Sequence, residues 1–248
     1  MGESWEWLWG RHAVEETLKS GSRRVRELWV LHQNRDGAVR ELVNRARRAG
    51  ARVKWVSKKE LDAVAQDGAH QGLALRAEGR TAGNLDDFMA RCSENDRRRL
   101  VLIALDQIQD PHNLGAIARS GACLGAAGLL LSDRRTAPVS PAAVQASAGA
   151  LEKMPVFLVG NLAQALARLR DAGVWIYGAD RTGKPVWNVT FNRPMILVIG
   201  SEGQGMRSLI REACDEIVAI PQSSGGVQSL NASCAAGVLL YEIARQSK

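Results

Sequence analysis

The amino-acid sequence predicts an α/β protein whose C-terminal part is built on a mostly parallel sheet. From Leu100 onward, short apolar runs alternate with helical patterns, and this alternation is typical of buried parallel strands covered by helices on both faces. Several of the runs end in polar or glycine-rich loops, which is where α/β sheets bind their ligands. The chain has 248 residues and 46% hydrophobic content, so it can bury a substantial core.

The predicted elements form a small N-terminal module and a larger C-terminal one. In the N-terminal module the patterns indicate helices at 12–19 and 37–49 and strands at 27–31, 52–56 and 72–77. In the C-terminal module they indicate a helix over 161–173 and strands at 100–105, 128–131, 155–158, 174–178, 195–199 and 216–220. A polar stretch with a short helical pattern at 85–92 separates the modules. We therefore expect an N-terminal domain over 1–78, a linker over 79–99 and a C-terminal domain over 100–248.

Three tryptophans, Trp5, Trp7 and Trp9, alternate with other residues near the N-terminus. A period of two predicts a strand, or an arm that packs by one face. We favour packing of these rings over a role in stacking on nucleic-acid bases.

The positive charge of the chain is concentrated in one segment. The net charge is +7 at pH 7, and residues 20–59 hold twelve Lys/Arg against three acids, a local balance of +9. A localised basic surface is typical of proteins that bind a polyanion, because neutralising phosphates releases counterions. The pattern therefore favours a nucleic-acid partner over a solvated basic helix.

Composition and spacing argue against several other classes of protein. No apolar run reaches the length of a membrane span, and the N-terminus lacks a basic region followed by an apolar core, so we expect a cytoplasmic protein without a membrane partner. The four cysteines are widely spaced and form no C-x-x-C pair, so we expect neither a disulfide scaffold nor a metal site. The glycine spacing around residue 200 fits neither the G-x-G-x-x-G fingerprint nor a P-loop.

Polar side chains cluster at three strand-to-loop junctions of the C-terminal module. At the first, Asn113 is either a helix N-cap or a site residue, and Arg119 is either paired at an interface or kept for a site. The second and third are glycine-dense loops, one with Glu202 and the other with Ser229 and Asn231. Because α/β sheets place ligands at such junctions, we expect these side chains to belong to one site.

Three motifs, taken in order, carry a resemblance to a known family. They are Asp110-Pro-His-Asn-Leu-Gly-Ala-x-x-Arg119, Ile199-Gly-Ser-Glu-Gly-x-Gly-Met206 and Ile220-Pro…Ser229-Leu-Asn231. Together they resemble the motifs of the SpoU/TrmH-type branch of the SPOUT RNA 2′-O-ribose methyltransferases, a likeness that spans residues 100–246. The third motif departs from the family pattern, because it is one residue longer and has Gln222 in place of Met.

The resemblance continues into the N-terminal module. Gly10-Arg-His-Ala-Val14 and His70-Gln-Gly72 resemble the substrate-binding domain that precedes the catalytic domain in large-subunit rRNA guanosine methyltransferases. That domain has a small α/β fold similar to a ribosomal protein. The likeness therefore implies an N-terminal domain that binds RNA.

The resemblance also implies a C-terminal trefoil knot, which holds S-adenosylmethionine in a bent conformation. In such a fold the backbone around Gly200, Ile220 and Leu230 would contact this cofactor. It implies a homodimer as well, in which Arg119 approaches the cofactor of the partner subunit. We expect no metal in the site.

The implied reaction transfers a methyl group from a sulfonium to a ribose 2′-oxygen. The protein must align the 2′-hydroxyl with the methyl group and stabilise the charge that develops. The ribose and Arg119 would be oriented by four polar side chains, Asn113, Glu202, Ser229 and Asn231. The family's proposed role for Arg119 is activation of the hydroxyl, but a guanidinium stays protonated, so we favour an electrostatic clamp over a base. His112 is an alternative base or an ordinary loop histidine.

We therefore predict an S-adenosylmethionine-dependent RNA 2′-O-methyltransferase that acts on a guanosine of 23S rRNA. A tRNA ribose methyltransferase is the alternative with the same chemistry. The N-terminal domain favours rRNA, because tRNA enzymes of this branch often have only short extensions. A non-catalytic RNA-binding assembly factor on the same fold is a third alternative, and the presence of Arg119, Glu202 and Asn231 argues against it.

Overall fold

The computed structural model describes residues 4–34, 36–65, 68–133, 136–223 and 229–247. The chain divides into two compact units. The first comprises Met1–Thr81 with Val139–Lys153, and the second comprises Ala82–Pro138 with Met154–Lys248. The segment Val139–Lys153 therefore packs with the N-terminal third of the chain, although it lies within the stretch that the sequence predicts as the C-terminal domain.

The elements alternate along the chain. The strands are β1 (Trp5–Trp9), β2 (Val25–Leu31), β3 (Arg52–Val56), β4 (Leu73–Glu78), β5 (Val101–Asp106), β6 (Gly128–Ser132), β7 (Val156–Val159), β8 (Trp175–Pro185), β9 (Met195–Gly200) and β10 (Glu216–Ala219). The α-helices are α1 (Arg11–Ser20), α2 (Gly37–Arg48), α3 (Lys58–Ala65), α4 (Leu85–Arg91), α5 (Glu94–Arg97), α6 (Pro111–Cys123), α7 (Pro141–Ala146), α8 (Ala150–Lys153), α9 (Leu162–Asp171), α10 (Ser208–Glu212) and α11 (Ala232–Arg245). Within the described residues, none of these helices has both the length and the apolar character needed to cross a membrane.

The first unit is built on a four-stranded sheet with the strand order β1-β4-β2-β3. Strand β4 runs antiparallel to β1 and β2, and β2 runs parallel to β3. Helix α2 begins at Asp36, whose carboxylate accepts a hydrogen bond from the N–H of Ala38. The helix then buries Val39, Leu42, Val43 and Ala46, which recur on one side of the helix and pack on the sheet. The strand predicted from the alternating tryptophans is confirmed as β1.

Two side chains hold α7 and α8 in the first unit. Gln145 of α7 accepts a hydrogen bond from Nε1 of Trp9 at 2.8 Å and donates one to the carbonyl of Ala69 at 2.8 Å. Glu152 of α8 has a fully buried side chain and pairs with Nη2 of Arg23 at 2.6 Å. A buried carboxylate requires such a partner. The pair therefore ties the segment to the first unit.

The second unit is built on a six-stranded parallel sheet with the strand order β10-β8-β9-β5-β6-β7. Every residue of β5 and β9 is buried, as expected for continuous apolar runs in a parallel sheet. Helix α9 begins after the predicted cap Asn161 and buries Leu162, Leu166 and Leu169 against the sheet. The predicted parallel sheet and its strands are confirmed. The trefoil knot stays a prediction.

Strand β8 leaves the sheet and returns to it, a feature that the sequence pattern does not predict. On β10, Ile217 pairs with Gly178 and the next residue pairs with Lys184, so residues 179–183 of β8 lie outside the ladder. Gly183 permits the return, because a Cβ at this position would lie 2.5 Å from the carbonyl oxygen of Ile217. We call residues 179–183 the β8 excursion.

Helix α6 begins at Pro111, which is too early for Asn113 to be its N-cap. Asp110 is its N-cap, and the Asp110 carboxylate accepts a hydrogen bond from the N–H of His112 at 2.8 Å. Pro111 occupies the first turn, which suits it because proline has no N–H to satisfy. The interpretation of Asn113 as the N-cap is therefore wrong, and its side chain is left for another role.

Candidate functional site

A cavity of about 330 Å³ lies in the second unit, beside the ends of β9 and β10. Gly200, Ile220 and Leu230, the residues expected to contact a cofactor, all line it. Glu202 and Ser229 line it as well. The volume falls within the range of small-molecule sites.

The cavity wall combines apolar side chains with a few polar groups. Ile199, Val218 and Leu239 supply apolar surface, while Asp180 and Thr182 of the β8 excursion supply a carboxylate and a hydroxyl. S-adenosylmethionine has a flat aromatic base, a ribose diol and a charged amino-acid part. The wall therefore offers groups of the types that this cofactor needs.

The loop after β9 is held in a tight turn that only glycine permits at its first position. Ser201 and Gly205 exchange two backbone hydrogen bonds, of 3.1 and 2.9 Å. A Cβ on Gly200 would lie 2.3 Å from the carbonyl carbon of Gly205. Gly205 itself has a φ of 67°, in the left-handed region that favours glycine. The loop thus presents its backbone to the cavity in one fixed shape.

An ion pair between a buried carboxylate and a partly exposed arginine anchors the end of this loop. Asp106, at the end of β5, is fully buried and accepts hydrogen bonds from the backbone N–H of Arg207 at 2.9 Å and from its Nε at 2.8 Å. Nη2 of Arg207 lies 2.6 Å from the same carboxylate. Because a buried carboxylate needs all its bonds satisfied, this pair fixes the loop against the centre of the sheet. The motifs did not indicate this role for Asp106.

Three of the predicted site residues meet in one hydrogen-bonded cluster. Nδ2 of Asn113 donates to Oε1 of Glu202 at 2.8 Å. Nδ2 of Asn231 donates to the same Oε1 at 2.5 Å and to Oδ1 of Asn113 at 3.0 Å. The cluster joins the start of α6, the loop after β9 and the start of α11. We call these three residues the Glu202 cluster.

The orientation of the two amides in the cluster follows from helix capping. Oδ1 of Asn231 accepts hydrogen bonds from the backbone N–H groups of Ser233 and Cys234 at the start of α11. This leaves its Nδ2 to donate toward Glu202 and Asn113. Asn113 then receives a hydrogen bond on its oxygen and turns its own nitrogen to Glu202. The cap thus sets the direction of every hydrogen bond in the Glu202 cluster.

Arg119 lies on α6 but does not join the cluster. Six residues separate it from Asn113, which places it about 9 Å further along the helix and about 120° around it. Its side chain is exposed. Within the described residues, Arg119 has no hydrogen-bond or ion-pair partner. The structure of a single chain therefore leaves this guanidinium available.

The remaining candidate residues are placed as follows. Ser229 lines the cavity, and its hydroxyl makes no hydrogen bond within the described part of the chain. His112 is exposed at the start of α6. The third motif is one residue longer than the family pattern, and it includes residues 224–228. These residues lie outside the described part of the chain, so the effect of the extra residue stays a prediction. Among the described residues, no group of three or more His, Cys, Asp or Glu could hold a metal ion.

Asp180 is a cavity residue that the motifs did not indicate. Its Oδ1 accepts hydrogen bonds from the N–H of Thr182 at 2.9 Å and from the hydroxyl at 2.7 Å, and Arg211 lies 3.1 Å from its Oδ2. Burial raises the pKa of Asp180, but the bonds from Thr182 and Arg211 outweigh it, so its pKa lies below the usual value. Asp180 is therefore ionised at neutral pH. A polar run directly after the predicted strand 174–178 was the available signal.

Both units match family models. Residues 100–241 match the SpoU rRNA methylase family, and residues 7–82 match the model for RNA 2′-O ribose methyltransferase substrate binding. The chain belongs to the SpoU rRNA methylase family. It is an S-adenosylmethionine-dependent RNA 2′-O-methyltransferase, so the family, the enzyme class and the cofactor predicted from the sequence are confirmed.

Individual relatives match along nearly their whole length. YacO of Bacillus subtilis (strain 168), named for the TrmH family of tRNA/rRNA methyltransferases, is 37% identical over 99% of this chain and 98% of its own. The 23S rRNA (guanosine-2′-O-)-methyltransferase RlmB of Shewanella oneidensis is 34% identical over 97% of each chain. The SpoU methyltransferase AviRb of Streptomyces viridochromogenes, solved with AdoMet, is 27% identical with a TM-score of 0.80, over 97% of this chain and 89% of its own.

Proposed function

We propose that this chain methylates the ribose 2′-oxygen of a guanosine in 23S ribosomal RNA. The observation that carries the proposal is the match to RlmB, which extends over 97% of both chains and so includes the substrate-binding unit as well as the cavity. A relative that shared only the methyltransferase fold would not indicate which RNA is the substrate. A cytoplasmic location belongs to the proposal, since ribosomes work in that compartment.

The cavity residues would hold S-adenosylmethionine. The cofactor would contact the backbone of three residues that line the cavity, Gly200, Ile220 and Leu230. At Gly200 the backbone is open to the cofactor, because this loop leaves no room for a side chain there. Asp180 would accept hydrogen bonds from its hydroxyl or ammonium groups. When bound, the cofactor supplies an electrophilic methyl group on a sulfonium. The chain has then to bring a ribose hydroxyl in line with that methyl.

The Glu202 cluster would position the ribose. Oε1 of Glu202 is occupied by the amides of Asn113 and Asn231, which leaves Oε2 to accept a hydrogen bond from a hydroxyl of the incoming nucleotide. The hydroxyl of Ser229 lines the same cavity and would orient the ribose from a second side. Because the cap of α11 fixes the cluster, these groups need little rearrangement when RNA binds.

Arg119 would stabilise the charge on the 2′-oxygen as its proton leaves. A guanidinium stays protonated in proteins, so a clamp suits it better than a role as free base. Arg119 is exposed and has no partner within the described residues of its own chain. We therefore propose a homodimer in which Arg119 serves the cofactor site of the partner subunit.

A tRNA target is the alternative, because the relative YacO is named for tRNA and rRNA together. The test is to map ribose methylation in total RNA from a strain that lacks this protein and from the same strain with the gene restored. We expect the loss of one methylated guanosine in 23S rRNA, and its return on complementation. Loss of a methylated ribose in tRNA alone would contradict the rRNA assignment and leave the chemistry intact.

A further inference from the structure

One face of the sheet in the first unit carries tryptophans and cations in neighbouring rows. Residues that pair across strands project to the same face of a sheet. The register aligns one row of Trp7, Arg76, Glu27 and Arg52, and a second row of Trp9, Ala74, Trp29 and Lys54. We call the part of this face formed by the following residues, with Arg26 lying over the Trp5 ring, the tryptophan face: Trp5, Trp7, Trp29, Arg26, Arg52, Arg76 and Lys54.

The tryptophan face is only partly covered. Helix α3 packs over the far end of the sheet, where Trp9, Val56 and Leu61 are buried together. Trp5, Trp7 and Trp29 remain half-exposed. Adjacent, partly exposed indoles form an apolar patch of the kind that marks a binding surface.

Cations rest on each of the three rings. The guanidinium of Arg26 lies 5.7 Å from the ring centroid of Trp5, and that of Arg76 lies 6.0 Å from the centroid of Trp7. Nζ of Lys54 lies 5.7 Å from the centroid of Trp29. The rings of Trp7 and Trp29 are themselves 4.5 Å apart. Aromatic rings and positive charges therefore alternate at stacking distance across the face.

Glu27, one of the acids in this region, orients one of the rings, while Glu78 opposite Trp5 pairs with Arg24. Oε2 of Glu27 accepts hydrogen bonds from Nε1 of Trp29 at 2.9 Å and from Nζ of Lys54 at 3.0 Å. Lys54 neutralises the charge of Glu27, and the bond from Nε1 fixes the orientation of the Trp29 indole. Among the described residues, no carboxylate lies within ion-pair distance of the three arginines on the face, Arg26, Arg52 and Arg76. The face as a whole is therefore positive.

The basic helix α2 of the same unit differs from the tryptophan face in its ion pairs and in its lack of aromatic side chains. Its Arg45 and Arg48 both lie near the carboxylate of Glu41, at 3.5 and 3.2 Å. The residues of α2 include no aromatic side chain. Such a surface attracts phosphates and offers nothing on which a base could stack.

We propose that the tryptophan face binds single-stranded RNA, with bases stacked on Trp5 and Trp7 and phosphates neutralised by Arg26, Arg52 and Arg76. The proposal rests on the proposed function, in which RNA is the substrate. Rings combined with arginines are the means by which proteins hold unpaired bases, whereas a duplex keeps its bases inside the helix. Trp9 is buried in the core, as the preference for packing predicts, and the proposal adds a stacking role for Trp5 and Trp7.

The test measures RNA binding by the full-length protein. The probe is a labelled single-stranded RNA of about 12 nucleotides, followed by fluorescence anisotropy at several salt concentrations. Trp7→Leu keeps an apolar side chain but removes the stacking surface, so affinity should fall by about 10-fold with an unchanged salt dependence. Arg76→Gln should instead reduce the slope of log affinity against log salt by about 0.7, the value for one phosphate contact on a single strand.

Matched controls lie in the second unit. Trp187→Leu removes an exposed indole and Arg98→Gln removes an exposed guanidinium, and both should leave affinity and salt slope unchanged. S-adenosylmethionine affinity and thermal unfolding check that each variant folds. If Trp7→Leu does not fold, Trp5→Leu takes its place. Photo-crosslinking of thiouridine-labelled RNA to the unaltered protein should also label the peptides that carry Trp5 and Trp7.

Four results would overturn the inference. Equal affinity for the single strand and for a duplex of the same sequence would assign binding to charge alone. Wild-type RNA affinity in Trp5→Leu and Trp7→Leu, in a protein that still methylates RNA, would reject the tryptophan face and keep the proposed function. A change in oligomeric mass without a change in RNA affinity would make the face a protein contact. A wild-type protein that neither binds nor methylates RNA would overturn the proposed function as well.

Discussion

Asn113 and Arg119 lie on the same helix, α6, yet their surroundings differ. Asn113 is joined to Glu202 and Asn231 by hydrogen bonds of 2.8 and 3.0 Å. Arg119 is exposed and, within the described residues, has no partner. Contacts within one chain thus fix the side chain of Asn113, whereas they leave the guanidinium of Arg119 without a fixed position.

The difference indicates how the work of the site is divided. The Glu202 cluster is fixed by the chain itself, because the cap of α11 directs its amides. A free guanidinium has many accessible rotamers, and fixing it requires contacts that a single chain does not provide. This contrast supports the proposal that Arg119 acts on the site of a partner subunit. Each prediction below changes one side of the contrast and leaves the other intact.

The largest effect is expected at Arg119. Arg119→Lys and Arg119→Ala should both fold and bind S-adenosylmethionine, yet lose methyl transfer by roughly 10²-fold or more, because an ammonium group cannot reproduce the planar set of donors. Single-turnover methylation and calorimetry measure the two quantities. His112→Ala, on the same helix, is the control and should keep near-normal transfer. Near-normal transfer by Arg119→Lys would contradict the clamp.

Mixed dimers test where Arg119 acts. An Arg119→Ala subunit combined with a Gly200→Ala subunit should recover partial activity, because one of the two shared sites then keeps both an intact cofactor loop and an intact arginine. Co-purification through a different affinity tag on each subunit must show that the heterodimers form. Heterodimers without activity would place Arg119 in the site of its own subunit.

The next effect is expected in the loop after β9. Gly200→Ala places a Cβ 2.3 Å from backbone that cannot yield easily, and overpacking of this kind costs about 1–3 kcal/mol, or roughly 5- to 150-fold in cofactor affinity. Gly203→Ala is the control in the same loop, since no atom lies within 4 Å of its Cβ position. Calorimetry with S-adenosylmethionine compares the two. Equal affinities would mean that the loop adapts to its ligand.

The elements of the second unit were predictable because buried parallel strands are continuous apolar runs. Strands β5 and β9 have every residue buried, and no other pattern competes with such a run. The Glu202 cluster was predictable for a related reason, since polar residues that follow the ends of parallel strands in one sheet converge at the same edge. The cap of α6 was misjudged even though Asp110 directly precedes Pro111, which is itself a signal for a helix start.

Other features depend on contacts between distant residues and have no local pattern. The β8 excursion departs where Ala179 and Asp180 replace the apolar run, so the sequence indicated only the end of a strand. The place of α8 in the first unit depends on the pair of Arg23 and Glu152, which lie 129 residues apart. No sequence pattern near Arg23 or Glu152 indicates that the two side chains pair, because such long-range contacts depend on the whole fold.

A smaller effect is expected at Asn231, which is both a cap and a member of the Glu202 cluster. Asn231→Ser should keep the cap of α11, because serine is also a good N-cap, but should remove the Nδ2 donor to Glu202. Methyl transfer should fall by about 10-fold, the loss of one charge-assisted hydrogen bond. Asn161→Ser at the cap of α9 is the matched control, with a similar change in stability and no change in transfer. Equal transfer in both variants would reduce Asn231 to a cap.

The smallest effect is expected at Asp180, on the cavity side of the contrast. Asp180→Asn should weaken S-adenosylmethionine binding by roughly 5-fold, the value of one net hydrogen bond, while Asp171→Asn on the exposed end of α9 should change nothing. Burial raises the pKa of Asp180, but the hydrogen bonds from Thr182 and the nearby Arg211 outweigh it, so the pKa is lowered. The charge of Asp180 therefore persists at neutral pH and is lost only as the pH falls through the lowered pKa. Titration calorimetry should therefore find the affinity ratio of wild type to Asp180→Asn constant from about pH 8 to pH 5. A ratio that declines as the pH falls within this interval would mean that Asp180 becomes protonated there and that its pKa is not lowered.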